Sequence, residues 1–362
     1  MSAIHLDKVS KTYPNGKTVI DYLQLEIRDC SFTVLVGPSG CGKTTALRLI
    51  AGLEEVTAGE IHIGERNVTK AEPGDRGIAM VFQNYAIYPH MTVRKNIEFG
   101  LKNQGFPKDE IKRRVEHVVN LVGLQDYMNA KPSMLSGGQR QRIALSRAIS
   151  KNPQVFLMDE PLSNLDAKLR NQMRSELIQL HHNLQSTFVF VTHDQVEAMT
   201  MGTDIVIFNE GKVMQNGTPK QVYNDPDNVF VATFIGDPGM NIVLLPNICL
   251  LGFRPQKVKL MKPAQFQGIV LSGKIVLRET LGLETLYHVS TSLGAIVVKS
   301  EEDRDFGDRV KVYITEEDLY YFDEASDQRI RDAQQIRFVL NSISYLEGVY
   351  VENEHQVHTT AL

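Results

Sequence analysis

A glycine-rich segment near the amino terminus has the residue types and spacing of a phosphate-binding loop. It reads Gly37-Pro-Ser-Gly-Cys-Gly-Lys-Thr-Thr45 and directly follows an apolar run at residues 32–36, which predicts a buried strand. The glycines let the backbone curl so that its N–H groups and the positive end of the next helix face an anion. Lys43 can reach the outer phosphates of a nucleotide and the Thr44 hydroxyl suits a Mg²⁺ ligand, whereas Thr45 is the weaker candidate. The alternative is a glycine-rich turn without a ligand. The candidate nucleotide-binding residues here are Gly37, Pro38, Ser39, Gly40, Cys41, Gly42, Lys43, Thr44 and Thr45.

Two adjacent acids, Asp159 and Glu160, follow a second apolar run at residues 155–158. A strand there would place both carboxylates at the edge of a parallel sheet, next to the phosphate loop. We expect Asp159 to hold Mg²⁺, and Glu160 to act as the general base or orienting group for the water that attacks the γ-phosphate. The alternative is that one acid only caps the following turn.

Single polar residues follow two other apolar runs. His193 comes after residues 188–192 and could donate a hydrogen bond to the γ-phosphate or to the attacking water. Gln83 comes after residues 78–82 and could add an amide oxygen to the metal shell. Either residue alone would mean little, since a lone histidine is usually structural. His181 and His182 lie in a polar helical stretch and are expected to be solvated.

The segment Leu135-Ser-Gly-Gly-Gln139 precedes a basic helical run at residues 140–147. Ser136, Gly137 and Gly138 are expected to open that helix and to present a hydroxyl, free backbone N–H groups and a helix dipole to an anion. The segment therefore predicts a second phosphate-binding site. The alternative is an ordinary serine-glycine helix cap.

The surrounding patterns predict the elements that position these groups. Alternation at residues 4–9 and 23–27 predicts antiparallel strands, and residues 108–122 predict a charged helical insert with one apolar face. The apolar runs that precede the acids and His193, together with one at 205–208 and a helical stretch at 169–184, predict an α/β nucleotide-binding core. Short strand-like runs divided by Gly, Ser and charged turns follow residue 235 and predict a second, small β-barrel domain.

The composition of the chain limits its number of domains and its class of function. At 362 residues, with 42% hydrophobic and 23% charged residues, the chain can form two or three domains. A net charge of −4 argues against a nucleic-acid groove as its main function. Its three cysteines, Cys30, Cys41 and Cys249, are widely spaced and predict neither a disulfide framework nor a zinc site, which fits a reducing cytosol. The apolar runs are too short for us to expect a membrane span.

Taken together, the motifs resemble those of the ATPase subunit of an ATP-binding cassette (ABC) transporter, and they follow that family's order. Residues 37–45 match the Walker A loop, Gln83 the Q-loop and residues 135–139 the signature. Asp159 and Glu160 match Walker B and its catalytic acid, residues 163–166 the D-loop, and His193 the switch histidine. Tyr13 matches the aromatic residue that stacks on adenine, although many tyrosines beside a strand only pack.

The resemblance implies a P-loop NTPase core of ABC type, an α/β fold with an antiparallel β subdomain and a helical insert, followed by an all-β OB-type regulatory domain. The expected ATPase domain spans residues 1–235, with its helical subdomain at about 88–150, and the OB-type domain spans 236–362. The cofactors are ATP and Mg²⁺. The expected catalytic residues are Lys43, Gln83, Glu160 and His193, and the expected Mg²⁺ ligands are Thr44, Gln83 and Asp159. ATP contacts beyond the phosphate loop are expected at Tyr13, Ser136, Gly137, Gly138, Gln139 and Asp166.

The family also implies partners. Two subunits form a head-to-tail dimer in which the Walker A loop of one and the signature of the other enclose each ATP. The dimer, expected to be a homodimer, acts on two membrane-spanning permease subunits and indirectly on an extracytoplasmic substrate-binding protein, with no nucleic acid. We therefore expect the chain at the cytoplasmic face of the cell membrane.

A narrower resemblance points to the group that energises importers of maltose, multiple sugars and glycerol phosphate. It is carried by residues 81–93, 156–170 and 191–199. Within the first segment, Tyr85, Ile87, Tyr88 and Met91 either line a groove for a short permease helix or pack in the core. Residues 236–241 and 252–255 resemble that group's entry into its OB-type domain, although Asp237, Gly239 and Gln256 depart from the usual residues.

Two alternatives remain open. An importer of polyamine, iron, sulfate or another anion would use a similar subunit. A non-transport ABC ATPase in DNA repair or translation is less favoured, because such proteins usually carry two cassettes in one chain or a long coiled coil.

Overall fold

The structure, a computed structural model, describes residues 2–343 and 349–352 of the chain. It divides into two compact units, one up to residue 220 and the other from residue 221. The domain boundary expected after residue 235 stays a prediction. No helix among the described residues is both long and apolar enough to cross a membrane.

The first unit contains a six-stranded, mostly parallel sheet and a four-stranded antiparallel sheet. Its strands are β1 (Ile4–Thr12), β2 (Thr18–Ile27), β3 (Phe32–Val36), β4 (Ala58–Ile63), β5 (Arg66–Asn67), β6 (Ile78–Val81), β7 (Val155–Asp159), β8 (Thr187–Thr192), β9 (Asp204–Asn209) and β10 (Lys212–Gly217). Its helices are α1 (Lys43–Ala51), α2 (Val93–Asn103), α3 (Lys108–Leu121), α4 (Gly137–Ile149), α5 (Ala167–Leu184) and α6 (Gln195–Met201).

The larger sheet has the order β10-β9-β3-β8-β7-β6. Every pairing from β9 to β6 is parallel, and only β10 runs antiparallel to its neighbour. Strands β3, β7 and β8 are buried along their whole length, as expected for a parallel sheet covered on both faces. Because these strands are parallel and adjacent, their carboxyl ends meet at one edge, where the predicted site residues follow them.

The antiparallel sheet, ordered β2-β1-β4-β5, shares one hydrophobic core with α1 and the larger sheet. The predicted strands at 4–9 and 23–27 are thus confirmed, and so is their antiparallel pairing. Helices α2, α3 and α4, together called the helical insert, contribute to a second hydrophobic core. Helix α3 ends one residue before the predicted limit and buries the expected face, including Ile111 and Val115.

One expectation about the surface of α5 was wrong. His182 is exposed, but His181 is half-buried, and its ring packs edge-on against Phe32 and Phe188 at centroid distances of 5.4 and 5.0 Å. The Nε2 atom of His181 lies 3.1 Å from the carbonyl oxygen of Cys30, and burial lowers the pKa of the ring. The polar residues that surround His181 in the sequence do not indicate that its ring packs against buried aromatic side chains of the sheet.

The second unit is built from antiparallel sheets, as expected for an OB-type domain. Its strands are β11 (Asn241–Leu245), β12 (Cys249–Phe253), β13 (Gly268–Leu281), β14 (Glu284–Thr291), β15 (Gly294–Ser300), β16 (Arg309–Thr315), β17 (Leu319–Phe322) and β18 (Val349–Glu352). Helix α7 (Pro219–Asn224) spans the division between the units, and α8 (Val229–Phe234) and α9 (Ala333–Ile343) belong to the second. The sheets are ordered β11-β12-β17 and β15-β14-β13-β16, and β18 pairs with β13.

Candidate functional site

The phosphate loop joins β3 to α1 and is shaped by glycines that no other residue could replace without strain. A Cβ atom at Gly37 would stand 2.1 Å from the carbonyl oxygen of Phe208 in neighbouring β9. Gly42 has a φ of 109° and caps α1 without any side-chain acceptor for the first helical N–H groups. The amino terminus of α1 therefore keeps its dipole and its backbone donors available to an anion.

Lys43 is the first residue of α1 and turns back into the loop. Only 4% of Lys43 is exposed, and its Nζ donates to the carbonyl oxygens of Gly37 and Pro38, at 2.8 Å each. Its Nζ also lies 3.7 Å from the Sγ of Cys41. Within the described part of the chain, no carboxylate forms an ion pair with Lys43. A buried ammonium without a carboxylate partner favours an anionic ligand, such as the phosphates of a nucleotide.

Thr44 and Asp159 form the oxygen-rich part of the site. The Thr44 hydroxyl donates to Oδ1 of Asp159 over 2.9 Å, which links the phosphate loop to the end of β7. Burial raises the pKa of Asp159, because the carboxylate loses solvation, and the Thr44 hydrogen bond opposes that shift. No cluster of three or more His, Cys, Asp or Glu side chains suited to a metal occurs among the residues described. One carboxylate and one hydroxyl fit Mg²⁺ in particular, because Mg²⁺ commonly completes its octahedral shell with water and substrate phosphates.

Glu160 is the meeting point of three chain segments. Its Oε2 lies 3.3 Å from Nδ1 of His193, which follows β8, and accepts from Nε2 of Gln83, which follows β6, at 3.4 Å. Its backbone adopts the left-handed conformation, with a φ of 44°, and its N–H donates to Val191 at 3.1 Å. Left-handed backbone is costly for a residue other than glycine and is found preferentially at functional sites.

The segment 163–166 supports this cluster from the next turn. The Ser163 hydroxyl donates to the Glu160 carbonyl oxygen at 2.9 Å and accepts from Gln83 Nε2 at 3.3 Å. Asn164 donates to the Gln83 carbonyl oxygen at 3.1 Å. Asp166 caps α5 by accepting from the Leu169 N–H at 3.0 Å.

Ser136 opens α4, as predicted, and takes part in a capping box. Its hydroxyl accepts from the Gln139 N–H at 3.3 Å, and Gln139 Oε1 accepts from the Ser136 N–H at 2.9 Å. Gly138 is buried, and a Cβ there would stand 2.8 Å from the side chain of Leu169. A Cβ at Gly137 would stand 3.2 Å from the side chain of Leu165, so neither glycine has room for a larger residue.

The structure brings some of the predicted residues together and leaves others apart. Hydrogen bonds and ion pairs join Thr44 to Asp159 and join Glu160 to both Gln83 and His193. Among the described residues, no such contact joins this cluster to Tyr13 or to Ser136; the Tyr13 ring instead lies 5.0 Å from the Nζ of Lys11. Sequence reasoning also missed Arg170 and Glu197, two charged residues that support the loop around His193.

The sequence resembles those of known protein families over most of its length. A model of the ABC transporter family matches residues 20–163, and a model of the TOBE domain matches residues 251–322. The chain is 43% identical to the oligosaccharides import ATP-binding protein MsmX of Bacillus subtilis, over 91% of this chain and 100% of that protein. It is 45% identical to the sn-glycerol-3-phosphate import ATP-binding protein UgpC of Bartonella quintana, over 91% of this chain and 99% of that protein.

Two solved structures resemble the fold. The ATP-binding cassette MJ0796, in a dimeric post-hydrolysis state with ADP and Pi, has a TM-score of 0.54 and 30% identity, over 60% of this chain and 98% of that one. The cbiO1 protein of Clostridium perfringens, part of the transporter complex cbiONQ, has a TM-score of 0.57 and 24% identity, over 60% of this chain and 89% of that one.

Proposed function

The chain belongs to the family of ATP-binding subunits of ABC transporters, and from that premise we propose that it energises the import of a carbohydrate through separate permease subunits. The observation that carries this proposal is the likeness to import ATP-binding proteins over almost the whole chain, including the second unit. The site supports it, because the phosphate loop, Asp159, Glu160 and His193 lie at one edge of the larger sheet.

Each site residue then has a task that follows from its position. The curled loop and the start of α1 bind the phosphates, and the buried Lys43 ammonium exchanges its carbonyl partners for phosphate oxygens. Thr44 and Asp159 would hold Mg²⁺, with Gln83 as a further ligand, and the bound cation would neutralise charge on the phosphates. Glu160 accepts the proton of the attacking water, and His193, beside it, orients the water or the γ-phosphate.

We further propose that two copies of the chain form each complete site. The capping box at the start of α4 uses the N–H groups of Ser136 and Gln139 and leaves those of Gly137 and Gly138 for an anion. Within one copy, no hydrogen bond or ion pair joins this helix start to the cluster around Glu160 among the residues described. A head-to-tail dimer would place residues 135–139 of one copy against the ATP bound by the other, with Tyr13 against the adenine and Asp166 at the border of the site. The dimeric structure of MJ0796 with ADP and Pi supports the formation of a dimer.

The permease is proposed to dock on the insert. A cavity of about 370 Å³ is lined by Tyr85, Tyr88, Phe99 and Arg147, among others. Arg147 lies 4.6 Å from the Tyr88 ring centroid, so the cavity offers both apolar surface and a positive charge. Ile87 instead packs against the core of the insert. Docking there would hold the chain at the cytoplasmic face of the membrane, with an extracytoplasmic binding protein as an indirect partner.

The class of transported substrate is inferred from the relatives and not from the site itself. The likeness to MsmX favours oligosaccharides as the substrate, and the likeness to UgpC favours glycerol phosphate. Both substrates are among those of the importer group that the sequence motifs resemble. An importer of polyamine, iron, sulfate or another anion is the second candidate. No residue of the site described here would contact the cargo, so the partners must identify it.

The test is affinity capture from native membranes with the Glu160→Gln variant in MgATP, with the wild-type chain in ADP as control. We expect two multispanning permeases of the carbohydrate-importer type to co-purify from the ATP-trapped sample. Permeases of the polyamine or anion type would change the substrate but keep the site. Ribosomal or DNA-repair partners would refute the transport function.

A further inference from the structure

Three charged side chains, of which only Glu197 is fully buried, connect the segment before Asp166 with the loop that carries His193. Arg170 lies in the first turn of α5, and its Nη2 donates to the carbonyl oxygen of Leu165 at 3.0 Å. The same guanidinium faces two acids, with Nη1 3.8 Å from Oδ2 of Asp194 and Nε 4.0 Å from Oε1 of Glu197. One side chain therefore contacts both segments of the site.

The two neighbours of His193 are Thr192, which is hydrogen-bonded to Glu197, and Asp194 itself. Glu197 is 4% exposed, and its Oε2 accepts from the Thr192 hydroxyl at 2.6 Å. The Asp194 N–H in turn donates to the Thr192 hydroxyl at 3.0 Å. Oδ1 of Asp194 caps α6, accepting from the N–H groups of Val196 at 2.7 Å and Glu197 at 3.2 Å. The backbone on each side of His193 is thus held, while its ring stays free to meet Glu160.

The contacts of Arg170 are close but not fully made. Its Nε is buried and has no hydrogen-bond partner among the described residues. An unpaired buried donor beside a buried carboxylate is unfavourable, and a shift of about 1 Å would turn the 4.0 Å contact into a hydrogen bond. A small movement of either segment would therefore make or lose this hydrogen bond, as a mechanical connection between the two segments requires.

We infer that Arg170, Asp194 and Glu197 form a positioning relay, through which a movement of the segment ending at Asp166 sets the position of His193. This inference rests on the proposed function, since it assumes that His193 and Asp166 act on ATP. None of the three relay residues needs to touch the nucleotide. The relay makes hydrolysis in one copy depend on whether the segment next to the dimer interface is in place.

The relay is tested by ATP hydrolysis and nucleotide binding with the full chain. Glu197→Gln keeps the shape and an acceptor for Thr192 but removes the charge that faces Arg170. We expect kcat to fall about 2- to 30-fold, the range that couplings of this kind produce, while KM for MgATP and the affinity for a fluorescent ATP analogue change by less than about 2-fold. Arg170→Met should act alike, and Arg170→Lys should recover part of the loss. Arg28→Met removes a surface arginine paired with Asp204 at 2.7 Å and is the matched control with unchanged kcat.

A double-mutant cycle with His193→Ala, measured in single-turnover reactions, separates positioning from simple loss of stability. If the relay acts through His193, Glu197→Gln should cause no further loss in the His193→Ala background. An equal loss in both backgrounds, or an unchanged kcat in the Glu197→Gln and Arg170→Met variants, would overturn the relay. Either result would leave the proposed function intact as long as the wild-type chain hydrolyses ATP. A wild-type chain that does not hydrolyse ATP would refute the proposed function itself.

Discussion

Replacing Glu160 by glutamine should stop ATP hydrolysis without weakening ATP binding. The amide keeps the size of the side chain and can still meet Gln83 and His193, whose atoms lie 3.4 and 3.3 Å from Oε2. It cannot take a proton from water, so kcat should fall about 10²- to 10⁴-fold, which corresponds to roughly 3–5 kcal/mol of activation free energy.

The same substitution should hardly change stability. Both residues would occupy the left-handed backbone conformation, with a φ of 44°, at the same cost, and the two side-chain contacts are long. The free energy of unfolding should therefore change by less than about 0.5 kcal/mol. The assay combines phosphate release, binding of a fluorescent ATP analogue and thermal unfolding. Glu98→Gln, which breaks a surface pair with Lys102 at 2.7 Å, is the control with normal turnover. A Glu160→Gln chain that keeps more than about a tenth of wild-type kcat would refute its role as the base.

Three more predictions test other parts of the site. Asp159→Asn should abolish the increase in nucleotide affinity that Mg²⁺ causes, because the amide cannot replace a carboxylate ligand, while the affinity in EDTA stays within about 2-fold of the wild-type value. Fluorescence titration with and without Mg²⁺ measures both affinities, and an unchanged effect of Mg²⁺ would contradict the prediction. Gly37→Ala should lower the free energy of unfolding by about 1–3 kcal/mol, because the new methyl group would stand 2.1 Å from a backbone oxygen. Gly74→Ala, with open space around it, should leave the free energy of unfolding in denaturant unchanged, and equal effects of the two substitutions would contradict the close approach at Gly37. Alkylation of Cys41 should inactivate the chain, and MgATP should protect it. Burial raises the pKa of Cys249 to about 11, so this second thiol should stay unmodified at neutral pH. Mass spectrometry locates the label, and full activity after complete labelling of Cys41 would contradict the prediction.

The parallel strands and the phosphate loop could be predicted because their signals are local. Strand β3 is buried at all five positions and apolar at four of them, and the loop needs glycine at fixed places, as at Gly37 and Gly42. Asp159 ends such a strand, and Glu160 and His193 each follow one, so their convergence needed only the rule that parallel strands end at a common edge. The start of α4 at Ser136 was also local, because serine and glutamine three residues apart form a capping box.

What could not be predicted depends on contacts between distant segments. Nothing near Glu197 in the sequence shows that it is buried, because charged residues in a short amphipathic helix are usually exposed. Its burial is compensated by Arg170 from another helix, at a distance that only the fold determines. The left-handed backbone of Glu160 was equally hidden, because this conformation usually marks glycine or asparagine.

The mass of the Glu160→Gln chain in MgATP tests the central claim most directly, namely that two copies form each complete ATP site. Mass photometry should show particles of 40.7 kDa without nucleotide and of twice that mass with MgATP. Ser136→Arg, which places a bulky charge at the start of α4, should bind ATP in the monomer yet fail to form the dimer. A Glu160→Gln chain that binds MgATP and stays monomeric, or a Ser136→Arg chain that dimerises equally well, would contradict the account.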